Sequence, residues 1–98
     1  MAYDYVVASV AMDGTDKTYT VPVVAADAKG ISSGTHSITF HADGLEINLI
    51  DPTDNSEIFP IPIGGSITFE SSNLPGKVFT FNAASGTIRV LRMTGLGT

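Results

Sequence analysis

The chain contains no cysteine and no tryptophan. Without thiols it forms neither a disulfide framework nor a thiolate metal site, so its stability has to come from packing, backbone pairing or association with other chains. A reducing cytoplasm suits such a chain. Basic residues are scarce, with five Lys and Arg against ten Asp and Glu, and the net charge is −5. That balance repels phosphates, and Lys17, Lys29 and Lys77 are scattered along the chain, so nucleic-acid binding is disfavoured. Long apolar runs are missing as well. Nothing approaches the roughly 18 to 20 apolar residues of a membrane helix, and no Asn-x-Ser/Thr sequon is present. The N-terminal MAYDYVVASVAMDG has no basic n-region and alternates too strongly for a signal segment. It reads as mature protein made in the cytoplasm.

What is present is polar and uncharged. Charged residues make up 15% of the chain, where about 25% is usual, while Ser and Thr occupy twenty positions. Ninety-eight residues allow one domain, 1–98, burying roughly 65% of the surface of its unfolded chain.

Segments between turn signals are short, β-branched or aromatic, and alternating. They predict strands at 3–11, 17–24, 35–42, 44–50, 57–63, 66–71, 77–82 and 86–93. About eight short strands imply an all-β, single-domain antiparallel β-sandwich, jelly-roll-like or immunoglobulin-like, with a small barrel as the other closed form. Pro22, Pro60 and Pro62 cannot donate to a ladder, which puts 17–24 and 57–63 at sheet edges or beside bulges. Asp43-Gly44 predicts a type I′ hairpin in which Phe40 faces Ile47, Ile38 faces Leu49 and His41 faces Glu46. The tetrapeptide SITF occurs at 37–40 and again at 66–69. Convergence on a good strand sequence explains the repeat better than a duplicated hairpin does.

Catalytic signals are thin. GISSG, 30–34, matches G-x-S-x-G with Ser32 at the nucleophile position. A nucleophile elbow needs a strand before the serine and a helix after it, and here a strand follows. His36 and His41 lie five apart on one strand, which sends them to opposite faces. The loops MDGTDK, with Asp13 and Asp16, and DPTDNSE, with Asp51, Asp54 and Glu57, lack the spacing that aims several oxygens at one calcium ion and read as turns. No phosphate loop or dinucleotide fingerprint appears. The expectation is a non-enzyme without cofactor or metal.

The last strand, TIRVLRM, holds both arginines. Alternation puts Ile88, Val90 and Arg92 on one face and Thr87, Arg89, Leu91 and Met93 on the other. Apolar groups on both faces mark a strand that is central in a two-layer structure or partly covered by another chain. Arg89 and Arg92 then meet carboxylates within the chain or on a partner.

The order IPIGGSITF, a Pro-Gly turn, then KVFTFNAASGTIRVLRM resembles the small β-rich virion proteins of tailed bacteriophages, particularly capsid decoration or cement proteins. The pieces carrying it are the strand entry P-x-G-G-S-x-T-F and the closing strand S-G-T-x-R-V-L; no match extends into the N-terminal half. The resemblance implies a structural protein localised in the virion, commonly a homotrimer, that binds and stabilises the assembled shell of a major capsid protein or another virion protein. It places partner or subunit contacts at Arg89, Arg92, Met93 and Leu96 in the C-terminal segment, with its GLGT tail, and at Tyr3 and Tyr5 in the N-terminal strand. The alternative is a tail- or fibre-associated carbohydrate- or receptor-binding β module. Tyr3 and Tyr5, which share a strand face, would then supply its aromatic platform.

Overall fold

The computed structural model describes residues 3–22, 33–54, 56–71 and 73–96. Among them are eight strands and no helix: β1 (Tyr3–Ala11), β2 (Lys17–Thr20), β3 (Ser33–Asp43), β4 (Ile47–Ile50), β5 (Ile58–Ile61), β6 (Ser66–Glu70), β7 (Val78–Asn82) and β8 (Thr87–Leu96). Two four-stranded antiparallel sheets result, ordered β1-β8-β3-β6 and β2-β7-β4-β5. Strand β1 pairs with β8, β2 with β7, β3 with β6 and β4 with β5. That is one long antiparallel ribbon rolled on itself, sealed by the β3–β8 and β4–β7 seams. The topology is a jelly roll, and it sets the immunoglobulin-like alternative aside. The proline-bearing segments do form edges: β2 stops just before Pro22, and β5 holds Pro60.

The predicted Asp43-Gly44 hairpin does not form. Strands β3 and β4 belong to different sheets, so Phe40 is opposite Ile67 and Val90, Ile38 opposite Phe69 and Arg92, and His41 opposite Ser66 and Arg89. A type I′ turn needs positive φ at both central residues, and only Gly44 has it (φ 88°). The Asp-Gly pair instead turns a corner between sheets. Phe40 and Ile47 are both buried as expected, but across the layers of the sandwich. Alternation specifies which face is buried and is silent on the neighbour.

The two SITF copies sit side by side. In the β3–β6 ladder Ile38 is opposite Phe69, Thr39 opposite Thr68 and Phe40 opposite Ile67, and the two threonine hydroxyls share a hydrogen bond of 2.8 Å. Neither copy begins a hairpin with the strand after it, so the duplicated-hairpin explanation falls away.

Phe40 is the centre of the core. Its ring meets Tyr19 at 6.2 Å, Phe69 at 6.3 Å, Phe79 at 4.8 Å and Phe81 at 4.9 Å between centroids, drawing on both sheets. Val21, Ile38, Ile47, Ile61, Phe81, Ile88 and Val90 complete the set of large, fully buried side chains, each contributing about 1.5–3 kcal/mol through removal of apolar surface from water.

Strands β1, β8 and β3 have nine, ten and eleven residues, against four or five in every strand of the facing sheet. The longer sheet therefore outreaches the shorter one.

Candidate interaction surface

The outward face of the longer sheet is set by strand alternation. On β1 it carries Tyr5, Val7 and Ser9, and on β8 Met93, Leu91 and Arg89. The register places Tyr5 beside Met93 and Val7 beside Leu91. Tyr5 and Val7 are each 65% exposed and Leu91 is 40% exposed, while Met93 is half-buried. The adjoining columns are polar, with Ser37 and Thr39 on β3 and Glu70 and Thr68 on β6. Two adjacent strands thus present a contiguous apolar patch on a face that is otherwise hydroxyl-rich. Isolated exposed apolar residues need no explanation, but a cluster on one face is a candidate contact surface.

Of the residues expected to make partner contacts, the structure brings Tyr5 and Met93 together. Arg89 lies on the same face, one row beyond Leu91, and its Nε donates to Asp43 Oδ2 at 3.0 Å. Both side chains are about half exposed, so this pair adds at most about 1 kcal/mol. Tyr3 stands opposite Gly95 and Leu96 opposite Ser33 in the backbone register; their side chains, and residues 97–98 of the tail, lie outside the described residues. Val7 and Leu91 belong to the patch without having been singled out as contacts. Their signal was their alternation phase, shared with Tyr5 and Met93.

Arg92 faces the other way, toward the sandwich interior, in line with Ile88 and Val90. Its Nη1 donates to Thr35 Oγ1 at 2.9 Å, and its Nε is buried without a hydrogen-bond partner. The geometry depends on a bulge. The β3–β8 register shifts between Thr35 and Ser37, so Thr35 turns inward and is 2% exposed, while His36 is exposed. Unbroken alternation would have put His36 inside, opposite in sense to His41; the extra residue reverses the phase of the strand. Arg92 therefore bonds a hydroxyl of its own chain, where a carboxylate of the chain or of a partner was expected.

One end of the sandwich opens into a cleft of about 350 Å³. Its lining is mostly apolar, with Leu49, Phe59, Phe69 and Phe79 among it, and includes the charged side chains Asp51, Glu57 and Lys77. Phe69 and Phe79 meet at 5.3 Å between centroids, and Phe59 is 56% exposed although it faces inward. The acidic loop beside it is built from turn hydrogen bonds. Asp51 Oδ1 accepts from the Thr53 amide at 2.8 Å, the Thr53 hydroxyl at 2.8 Å and the Asp54 amide at 3.3 Å; Asp54 Oδ1 accepts from the Ser56 amide and hydroxyl at 3.0 and 2.6 Å. The Thr53 amide, with the Thr53 hydroxyl after it, lowers the Asp51 carboxyl below its ordinary value of 3.8.

Among the described residues no three His, Asp or Glu side chains gather at one point. Ser32 of GISSG lies outside the described residues. Comparison with known proteins finds no matching family model, no matching curated protein and no matching solved structure.

Proposed function

We propose that the chain is a non-enzymatic structural protein of a bacteriophage virion, of the capsid decoration or cement type, which docks on the assembled shell through the outward face of β1 and β8. The observation that carries the docking surface is the patch of Tyr5, Val7, Leu91 and Met93. The virion assignment is supported by the resemblance of the IPIGGSITF and SGTIRVL segments, and the jelly roll agrees with it by analogy, since viral capsid domains share that architecture. A protein that binds only the assembled shell stabilises that state by mass action. The apolar patch supplies the contact energy.

The test is co-sedimentation of the purified chain with assembled shells and with unassembled shell subunits. Binding to the assembled lattice alone, lost in Tyr5→Ser and Leu91→Ser with thermal stability retained, is the expected result. A chain that ignores every lattice offered removes the reading.

The cleft favours a second reading, a carbohydrate- or receptor-binding module. Phenylalanine rings and carboxylates in one lining are the elements a sugar ring and its hydroxyls would use. Glycan-array binding abolished by Phe59→Ala and retained in Tyr5→Ser and Leu91→Ser would favour the second reading over the first.

A further inference from the structure

The sandwich has four sheet edges, and three are short. Strands β2, β5 and β6 have four, four and five residues; Pro60 lies within β5 and Pro22 just beyond β2. These are the devices by which edges resist pairing. The fourth edge, β1, has none of them. It is nine residues long, contains no proline or lysine, and keeps an unbroken register with β8 from Tyr3 to Ala11. Among the described residues no strand pairs with its other side. From Tyr5 through Ala11 it also carries no charge.

We infer that this edge pairs with the same edge of a second copy of the chain, antiparallel and two-fold, with Val6 opposite the partner's Val6. Two four-stranded sheets then become one of eight strands. The faces and the neighbouring residues select both occupant and register. Opposed residues in an antiparallel ladder point to the same face, which restricts self-pairing to registers that match odd positions with odd. Centring on Val6 puts Tyr5 against the partner's Val7. A row across the junction then reads Leu91, Val7, the partner's Tyr5 and the partner's Met93, and the two-fold axis repeats it. Centring on Val7 instead sets Tyr5 beside the partner's Ser9 and aligns the Met93 row with the partner's Arg89, mixing apolar and charged groups. A chain of net charge −5 repels its own copies over most of its surface, and an uncharged strand is where two copies approach at least electrostatic cost. The pairing gives the outer side of β1 a ladder partner that no strand among the described residues supplies, and it merges two small apolar patches into one continuous band. It stands independently of the virion reading and is two-fold, unlike the trimer that the resemblance implies.

The absence of cysteine makes the register directly testable. With Val6 opposite the partner's Val6, the two Cα atoms lie about 4.5–5.5 Å apart, within the range a disulfide spans. Under mild oxidation Val6→Cys should convert almost wholly to a covalent dimer. Ser85→Cys, in an exposed turn on no paired edge, should do so at least tenfold more slowly. The unmodified chain should sediment at twice its 10.2 kDa as concentration rises, and Val7→Lys should sediment as a monomer with unchanged thermal stability. A monomer at all concentrations, a trimer, or equal cross-linking of the two cysteine variants would overturn the inference. Shell co-sedimentation is scored separately, so a dimer that binds no shell fails the virion reading alone.

Discussion

Arg92 Nη1 donates to Thr35 Oγ1 at 2.9 Å across the β3 bulge, and this hydroxyl holds a guanidinium whose Nε is buried and unpaired. Hydrogen bonds to charged groups contribute about 1.5–3 kcal/mol, and an orphaned buried donor costs a comparable amount. Thr35→Val should therefore destabilise by about 1–3 kcal/mol. Arg92→Met removes the charge along with its orphaned donor and should leave stability unchanged or raise it, as replacement of partly buried charges by apolar groups often does. In the double variant the cost of Thr35→Val should largely vanish. A urea-unfolding cycle over the four proteins measures the coupling, and additive effects would mean that the hydroxyl does not serve the arginine.

Gly86 and Gly14 separate conformation from space. Both have positive φ, 90° and 89°. A Cβ on Gly86 would lie 2.9 Å from the Asp43 carbonyl oxygen, whereas one on Gly14 would meet nothing within 4 Å. Each alanine substitution incurs backbone strain of about 1–3 kcal/mol, and only Gly86→Ala also collides with the Asp43–Leu45 corner. Gly86→Ala should be the more destabilising by at least ~1 kcal/mol in chemical unfolding.

Two phenylalanines on inward-facing positions should behave very differently. Phe40 is fully buried and meets four other rings, so Phe40→Ala should cost about 3–5 kcal/mol. Phe59 is 56% exposed at the cleft, and Phe59→Ala should change stability by under about 0.5 kcal/mol. Calorimetry on the two variants checks the contrast. A large loss from Phe59→Ala would show the cleft to be closed core.

Asp13 is pulled from its ordinary pKa of 3.8 to about 2, first by the Thr15 hydroxyl at 2.6 Å, then by Lys17 at 3.0 Å and the Thr15 amide at 3.1 Å. A carboxyl whose pKa is lower in the folded state contributes stability that is fully present above the unfolded value and lost as pH falls through the folded one. The melting temperature of the native chain should exceed that of Asp13→Asn at pH 5, and the gap should close between pH 4 and pH 2. A gap that is constant over that range would show that ionisation of Asp13 is not the cause.

Much of the architecture was readable from one dimension. The eight strands appear where β-branched alternation put them, the prolines of 17–24 and 57–63 do mark edges, and Arg89 and Arg92 do face opposite ways. These are local properties: a pleated strand has period two whatever it pairs with, and a missing N–H is missing in every fold. The patch was partly readable too, because Tyr5 and Val7, like Leu91 and Met93, keep a common phase on their strands.

Partners were not readable. Asp43-Gly44 had the composition of a hairpin and became a corner between sheets, because Phe40 and Ile47 bury equally well within one layer or across two. The bulge at His36 left no local mark, yet it decided that Thr35 faces inward and meets Arg92. The side-by-side placement of the two SITF segments, the meeting of β1 with β8 and the cleft between Phe59 and Phe79 all join residues far apart in sequence. Where the chain extends and which side of each strand is apolar were legible in the residues alone, since both follow from steric and hydration preferences of a few neighbours. Which strands lie together is settled in three dimensions, since that choice is a competition among all possible pairings for one shared core.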